Sequence, residues 1–208
     1  MSNEVKTKEK VDMDPKYIAK LAVTLLVTCV VVAGLLGFVN KLTLPNITAA
    51  NEKKTAEANQ KVLPELEGSP VAMELTEDMT AAASGAGATV TEAYEAQAGG
   101  STIGYALKIV ASGSQGNIEM MVGVDTEGAV TGVSIVKNSE TSGIGSKVMT
   151  NQPTAKGVGV LDQFEGKTAA DAPLNVGTNV DAISGATVSS KGVTTGVNAA
   201  LAVAGVIG

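Results

Sequence analysis

Residues 21–39, LAVTLLVTCVVVAGLLGFV, form an uncharged apolar run, and no other feature limits the architecture of this chain as strongly. As an α-helix these 19 residues span about 28 Å, close to the roughly 30 Å of a bilayer's hydrocarbon core. Lys20 and Lys41 flank the run and can extend their ammonium groups to the two interfaces. A cleaved signal peptide has an apolar stretch of about 7–15 residues that ends at small residues. This run is longer and continues into Asn40-Lys41-Leu42, so residues 18–40 read as a retained transmembrane helix. Cys29 lies inside the run, directly after Thr28, a poor setting for a lipidated cysteine. It reads as a small lipid-facing or buried residue.

The span divides the chain. Residues 1–17 read as a polar cytoplasmic tail that mixes Lys6, Lys8, Lys10 and Lys16 with Glu4, Glu9, Asp12 and Asp14. The first 20 residues hold five Lys and residues 40–57 hold three, a weak bias toward an inside N-terminus. Residues 41–80 read as a stalk helix and linker. The helix is expected over 46–63, after Pro45, with Asn46 or Thr48 as its cap and Pro64 as its stop. Ile47, Ala50, Lys54, Ala58 and Val62 mark its thin stripe. Residues 81–208 read as the folded domain.

Within that region, the strand signals are patchy near 71–75 and 89–96 and clear from 102 to 137. TIGYALKIVA, NIEMMVGVD and AVTGVSIVK are separated by Ser112-Gly113-Ser114-Gln115-Gly116 and by Thr126-Glu127-Gly128, which predicts a three-stranded antiparallel meander. Ile118, Met120, Val122 and Val124 alternate toward one face. A turn-rich loop follows at 138–145, then a short helix at 146–150. A last helix is expected from Thr187 or Ser189 to Val203, with Val193, Val197, Ala200, Leu201 and Ala204 near one face. The fold class is α+β: one N-terminal transmembrane helix, then a mixed domain with a β-meander and flanking helices.

The absences narrow the chemistry. There is no His and one Cys. A protein-held iron–sulfur cluster, a Cys/His zinc site and a Ser-His or Cys-His nucleophile pair are therefore excluded, and no catalytic or metal-binding residue is expected. Aromatic residues make up 2% and the net charge is −6, which argues against nucleic acid as a partner. Any redox chemistry must then sit on an organic cofactor.

One segment is specific. Asp181-Ala182-Ile183-Ser184-Gly185-Ala186-Thr187-Val188-Ser189 passes from an extended stretch into a helix start crowded with hydroxyls. A helix N-terminus offers unpaired N–H groups and partial positive charge, which suit a phosphate. Ordinary capping by Ser or Thr would give the same composition. On the residues alone, both readings stand.

This order of residues resembles the flavinylation motif of the FMN-binding domains found in the G subunit of the Rnf complex and the C subunit of the sodium-translocating NADH:quinone oxidoreductase. In that family the Thr of Ser-Gly-Ala-Thr is esterified to the FMN phosphate by a separate flavin transferase. The resemblance makes Thr187 the covalent attachment point, with Asp181, Ser184, Gly185, Ala186 and Ser189 completing the pattern. Ser139-Glu140-Thr141-Ser142-Gly143-Ile144-Gly145 resembles a second family segment, Glu-Thr-x-Gly-Leu-Gly, which lies against the flavin. Glu140, Thr141, Gly143, Ile144 and Gly145 thereby join the expected cofactor site. Ile144 stands where Leu is commoner, and Ser142 where Pro or Ala is frequent.

The absence of His fits the Rnf type better than the quinone-reductase type, where a His often precedes the loop. The resemblance implies an electron-relay subunit of an ion-translocating ferredoxin:NAD oxidoreductase. It also implies a cell-membrane location with the main domain outside the cytoplasm. The implied partners are membrane lipid, a multi-span FMN-carrying subunit and a flavin transferase. The alternatives are the C-type subunit, a stand-alone extracytoplasmic flavoprotein, and a membrane-tethered scaffold domain without cofactor. Ser84-Gly85-Ala86-Gly87-Ala88-Thr89 is similar in composition to the motif, but it lacks the spacing and has Ala81 where Asp is expected. It reads as a flexible surface loop.

Overall fold

The computed structural model describes residues 15–66 and 68–207. Most of the expected tail, residues 1–14, therefore lies outside the described residues. The described chain divides into two compact units, one ending at Ala50 and one running from Asn51.

In the first unit the apolar run is helical. Helix α1 spans Pro15–Val62, and among the described residues it alone is long and apolar enough to cross a membrane. The expected break at Pro45 does not occur: span and stalk belong to one helix, and neither Asn46 nor Thr48 starts a new one. Proline removes one backbone donor and crowds the carbonyl four residues earlier, that of Lys41. Nearby threonines turn their hydroxyls onto helix carbonyls instead. Thr43 donates to Val39 O at 3.0 Å and Thr48 donates to Leu44 O at 3.0 Å. A proline loses one helical bond, while the residues on both sides remain helical.

The second unit is built on five antiparallel strands in sequence order. These are β1 (Val71–Met73), β2 (Thr89–Ala98), β3 (Ser101–Ser112), β4 (Asn117–Asp125) and β5 (Val130–Lys137). The last three are the predicted meander, and β1 and β2 extend it at one edge. Between β1 and β2 lies α2 (Glu77–Gly85), where the sequence predicts only linker and loop. Thr76 caps it by accepting from Met79 N at 3.2 Å. Helix α3 (Ser146–Met149) is one turn, and α4 (Thr187–Ile207) closes the unit. The unit thus begins well before residue 81, the boundary expected from sequence.

Both faces of the sheet are covered. Ile118, Met120, Val122 and Val124 point to one face and are fully buried against α2 and α4. Helix α4 contributes Val193, Val197, Ala200 and Leu201 to this core. Burying a Val or Leu side chain stabilises by about 1.5–3 kcal/mol, so this face dominates the packing. On the opposite face Met121 and Ala106 meet Ala58, Val62, Leu63 and Leu66. Thr131 ties that layer down by donating to Val62 O at 2.6 Å.

Two glycines decide where α4 lies. A Cβ at Gly192 would run into Ser112 O, and one at Gly196 would run into the Met120 thioether. Their absence lets α4 approach β3 and β4 closely. The start of α4 is thereby brought beside the β3–β4 turn.

Candidate functional site

Helix α4 begins on a residue that has no capping side chain. Ser190 N–H donates to Ala186 O at 2.9 Å, the first bond of the helix, which makes Ala186 the N-cap residue. Alanine has no side chain that can cap. Thr187, Val188 and Ser189 then occupy the first turn. Among the described residues no protein acceptor bonds their N–H groups. Ordinary capping, the rival reading of this segment, does not describe this helix start. Three backbone donors at the positive end of a 21-residue helix are left to solvent or to a ligand.

The chain reaches that start through a tight turn. Ala186 N–H donates to Ile183 O at 2.9 Å across Ser184 and Gly185, and Gly185 has φ +81°. Positive φ at the third residue is the type II requirement, which glycine meets without strain. The turn leaves Ser184, Gly185, Thr187 and Val188 exposed while Ile183 and Ala186 sink into the core.

Beside Thr187 lies a cleft of about 160 Å³, lined by Ser114, Glu140, Thr141, Ile144, Gly145 and by residues 185–189. Both motifs singled out in the sequence therefore meet, although 35 or more residues separate them in the chain. A pocket that encloses a drug-sized ligand runs to roughly 300–1,000 Å³. This cleft fits a phosphate and the near part of a larger molecule, whose remainder would lie over the rim. Two apolar side chains stand on that rim among polar ones. From residue 51 onward, five large hydrophobics are exposed among the described residues, and two of them, Ile144 and Val188, are here.

Glu140 holds the cleft together. Its Oε1 accepts from Ser114 N at 2.7 Å and from Gln115 N at 3.3 Å, and its Oε2 accepts from Ser189 Oγ at 2.6 Å. One carboxylate thus joins the β3–β4 turn, the loop and α4. Gly113 and Gly145 make room for it, since a Cβ on either would collide with the carboxylate. Glu140 and Ser189 are expected from sequence as cofactor contacts. The structure turns them toward each other, so that they shape the cleft from within. Thr141 O accepts from both Ile144 N and Ser146 N at 3.2 Å, and Gly143, at φ +78°, donates to Ser146 Oγ at 2.8 Å. Those bonds fix Ile144 outward.

The remaining expected residues lie outside the cleft lining. Asp181 is ion-paired with Lys156 at 2.9 Å, and its backbone is bonded on both sides by the Gln163 amide. Ser184 is exposed at its turn and Gly143 is exposed within the loop, neither lining the cleft. Sequence reading missed Ser114, Val188, Lys156 and Gln163. Val188 lies inside the motif and could have been found from its position next to Thr187. The other three come from elements distant in sequence and carry no local signal.

The sequence profile of the family described as the FMN-binding domain matches residues 113–202, a stretch that includes every residue lining this cleft. A curated relative from Acetobacterium woodii, named as the G subunit of a Na(+)-translocating ferredoxin:NAD(+) oxidoreductase complex, is 34% identical over 220 residues. That match covers 96% of this chain and 97% of the relative. The chain belongs to the G-subunit family of ion-translocating oxidoreductase complexes. A second member, from Methanosarcina acetivorans and named as the G subunit of an ion-translocating oxidoreductase complex, is 31% identical over 90% of this chain and 95% of its own length. A crystal structure of the C subunit of the Na(+)-translocating NADH-quinone reductase from Parabacteroides distasonis is 19% identical, with a TM-score of 0.44 over 77% of this chain and 93% of that one. Family membership supports the α+β domain and FMN as its cofactor.

Proposed function

We propose that this chain relays electrons as the G subunit of a membrane complex coupling ferredoxin:NAD oxidoreduction to Na+ or H+ translocation, with FMN esterified through its phosphate to Thr187. The observation that carries the site assignment is the open start of α4. An exposed hydroxyl stands there beside three N–H groups without protein acceptors, next to a cleft with Ile144 and Val188 exposed on its rim.

The residues present fit the cofactor. Thr187, Val188 and Ser189 offer N–H groups to the phosphate, and the helix end offers partial positive charge. Ile144 and Val188 offer apolar contact to a ring lying over the rim. When bound, FMN supplies reversible electron uptake, while the chain supplies position and electrostatics.

For the attachment, Thr187 Oγ1 attacks the flavin-side phosphorus of a flavin dinucleotide held by a flavin transferase. The new P–O bond forms and the phosphoanhydride bond breaks. A nucleoside monophosphate leaves, and the hydroxyl proton passes to the transferase or to solvent. No oxidation state changes. Direct esterification of a phosphate monoester would have to expel water into water, so an anhydride donor supplies the driving force.

Under this reading α1 anchors the chain by a single pass, with its N-terminus cytoplasmic and the cleft domain outside. The span carries no charged residue over 21–39 and offers no ion path of its own. Ion movement then falls to multi-span partner subunits, one of which also carries FMN. The test is production of the full chain together with a flavin transferase, followed by ultraviolet imaging of a denaturing gel. A fluorescent band is expected for the wild type and none for Thr187→Ala. A dark wild-type band, or fluorescence retained in Thr187→Ala, contradicts the proposal.

A further inference from the structure

The segment from Asp181 to Ser189 is held at its two ends by side chains from elsewhere in the chain. At the far end Glu140 accepts from Ser189 Oγ. At the near end stands Gln163, which lies outside the motif. Its Oε1 accepts from Asp181 N at 2.7 Å, and its Nε2 donates to Asp181 O at 2.9 Å and to Val160 O at 2.9 Å. One amide thus satisfies both backbone polar groups of Asp181, as a neighbouring strand would.

The platform beneath Gln163 is firm. It sits in a 3-10 turn, Asp162–Phe164, between Leu161 and Phe164, both buried in the core. The Asp181 carboxylate takes no part in the pairing. It points outward, with its side chain 37% exposed and its partner Lys156 75% exposed. Between the two anchored ends lie the Gly185 turn and the exposed Thr187.

We infer that Gln163 is a positioning residue for modification at Thr187: by fixing the backbone of Asp181 it presents the Asp181 carboxylate and the Thr187 hydroxyl to a flavin transferase in one fixed relation. This rests on the Thr187 reading above. A reacting group displaced by about 1 Å can lose up to two orders of magnitude in rate, so a clamp remote from the hydroxyl has leverage. A local cap could not provide that registration, because Ala186 has no side chain to anchor.

The test uses the full chain in detergent, purified transferase and a flavin dinucleotide, with the acceptor chain varied. Gln163→Met keeps the length and bulk of the side chain and removes its three hydrogen bonds. Ile109→Val, at a buried core position outside the cleft lining, serves as a control for general loss of stability, with both variants compared by Tm. The expected result is a fall of about tenfold or more in kcat/KM for Gln163→Met, with Ile109→Val labelled like the wild type. Wild-type labelling of Gln163→Met overturns the role of Gln163 and leaves Thr187 standing. Equal slowing of both variants at equal loss of Tm also overturns it. An unlabelled wild-type chain overturns the Thr187 reading and this inference with it.

Discussion

Two segments of this chain, residues 84–89 and residues 184–189, are rich in Ser, Gly, Ala and Thr, and the fold uses them in opposite ways. The first closes a helix. Ala88 N donates to Ala83 O at 3.1 Å and Gly87 N donates to Ser84 O at 3.0 Å, with Gly87 at φ +85°. That is a Schellman motif, in which the trailing N–H groups satisfy the last carbonyls. The expected flexible surface loop is therefore an ordered helix-to-strand junction, with Ala83 and Ala88 buried. The second segment opens a helix and leaves its first donors without protein acceptors. The first lies at the negative end of a helix and the second at the positive end of one. A phosphate is suited to residues 184–189 and repelled from residues 84–89, although side-chain chemistry alone barely separates them. Chain direction and hydrogen-bond accounting make the distinction.

Substitutions can break or sharpen that contrast. The largest stability effect is expected at Ser189→Ala, which removes a hydroxyl bonded to the Glu140 carboxylate. A hydrogen bond to a charged group contributes about 1.5–3 kcal/mol, and chemical denaturation of the domain should show a loss in that range. The equivalent change at Ser84→Ala, on an exposed helix end, should register within about 0.5 kcal/mol. Gly185→Ala and Gly87→Ala come next. Each places a Cβ on a left-handed residue, at a cost of about 1–2 kcal/mol, so their Tm values should fall alike. Covalent flavin should fall only in Gly185→Ala, since only that turn aims Thr187. Equal loss of flavin in both variants would mean that loading follows stability and not the geometry of the turn.

Much of this is legible in the sequence. The Gly-rich turns at 113–116 and 126–128, with alternating Ile118, Met120, Val122 and Val124, define three strands because period and turn chemistry agree there. Helix α4 is legible from its spaced Val and Leu residues. Helix α2 is not, because it is nine residues long and its apolar face is mostly Ala. Continuity through Pro45 is not legible either, since a proline signals a break whether or not its neighbours override it. At the site, the residue types near Thr187 are visible. The inward turn of Glu140 is not, because its partners lie 25, 26 and 49 residues away. Gln163 is hidden for the same reason, 18 residues from Asp181.

An effect confined to alkaline pH lies away from both segments, on β2. Burial, a hydrogen bond to Glu92 and the Glu92 charge together push the Tyr94 phenol up from 10.0 to about 12. A group raised in the folded state stabilises fully below its unfolded value, and this contribution is lost as the pH rises through the folded value. Between pH 10 and pH 12 the wild type should therefore lose stability relative to Tyr94→Phe in paired denaturation curves. Flavin loading, carried out near neutral pH, should be the same in both.

The central claim is that flavin phosphate is esterified to the hydroxyl at the open end of α4. Its most direct test is mass spectrometry of peptides from the full chain after maturation with a flavin transferase. The expected result is the added mass of an FMN phosphoester on Thr187 alone, with Thr89 and Ser184 unmodified. Attachment at Thr89, at Ser184 or at another hydroxyl, or a peptide spanning Thr187 that stays unmodified in matured protein, would contradict it.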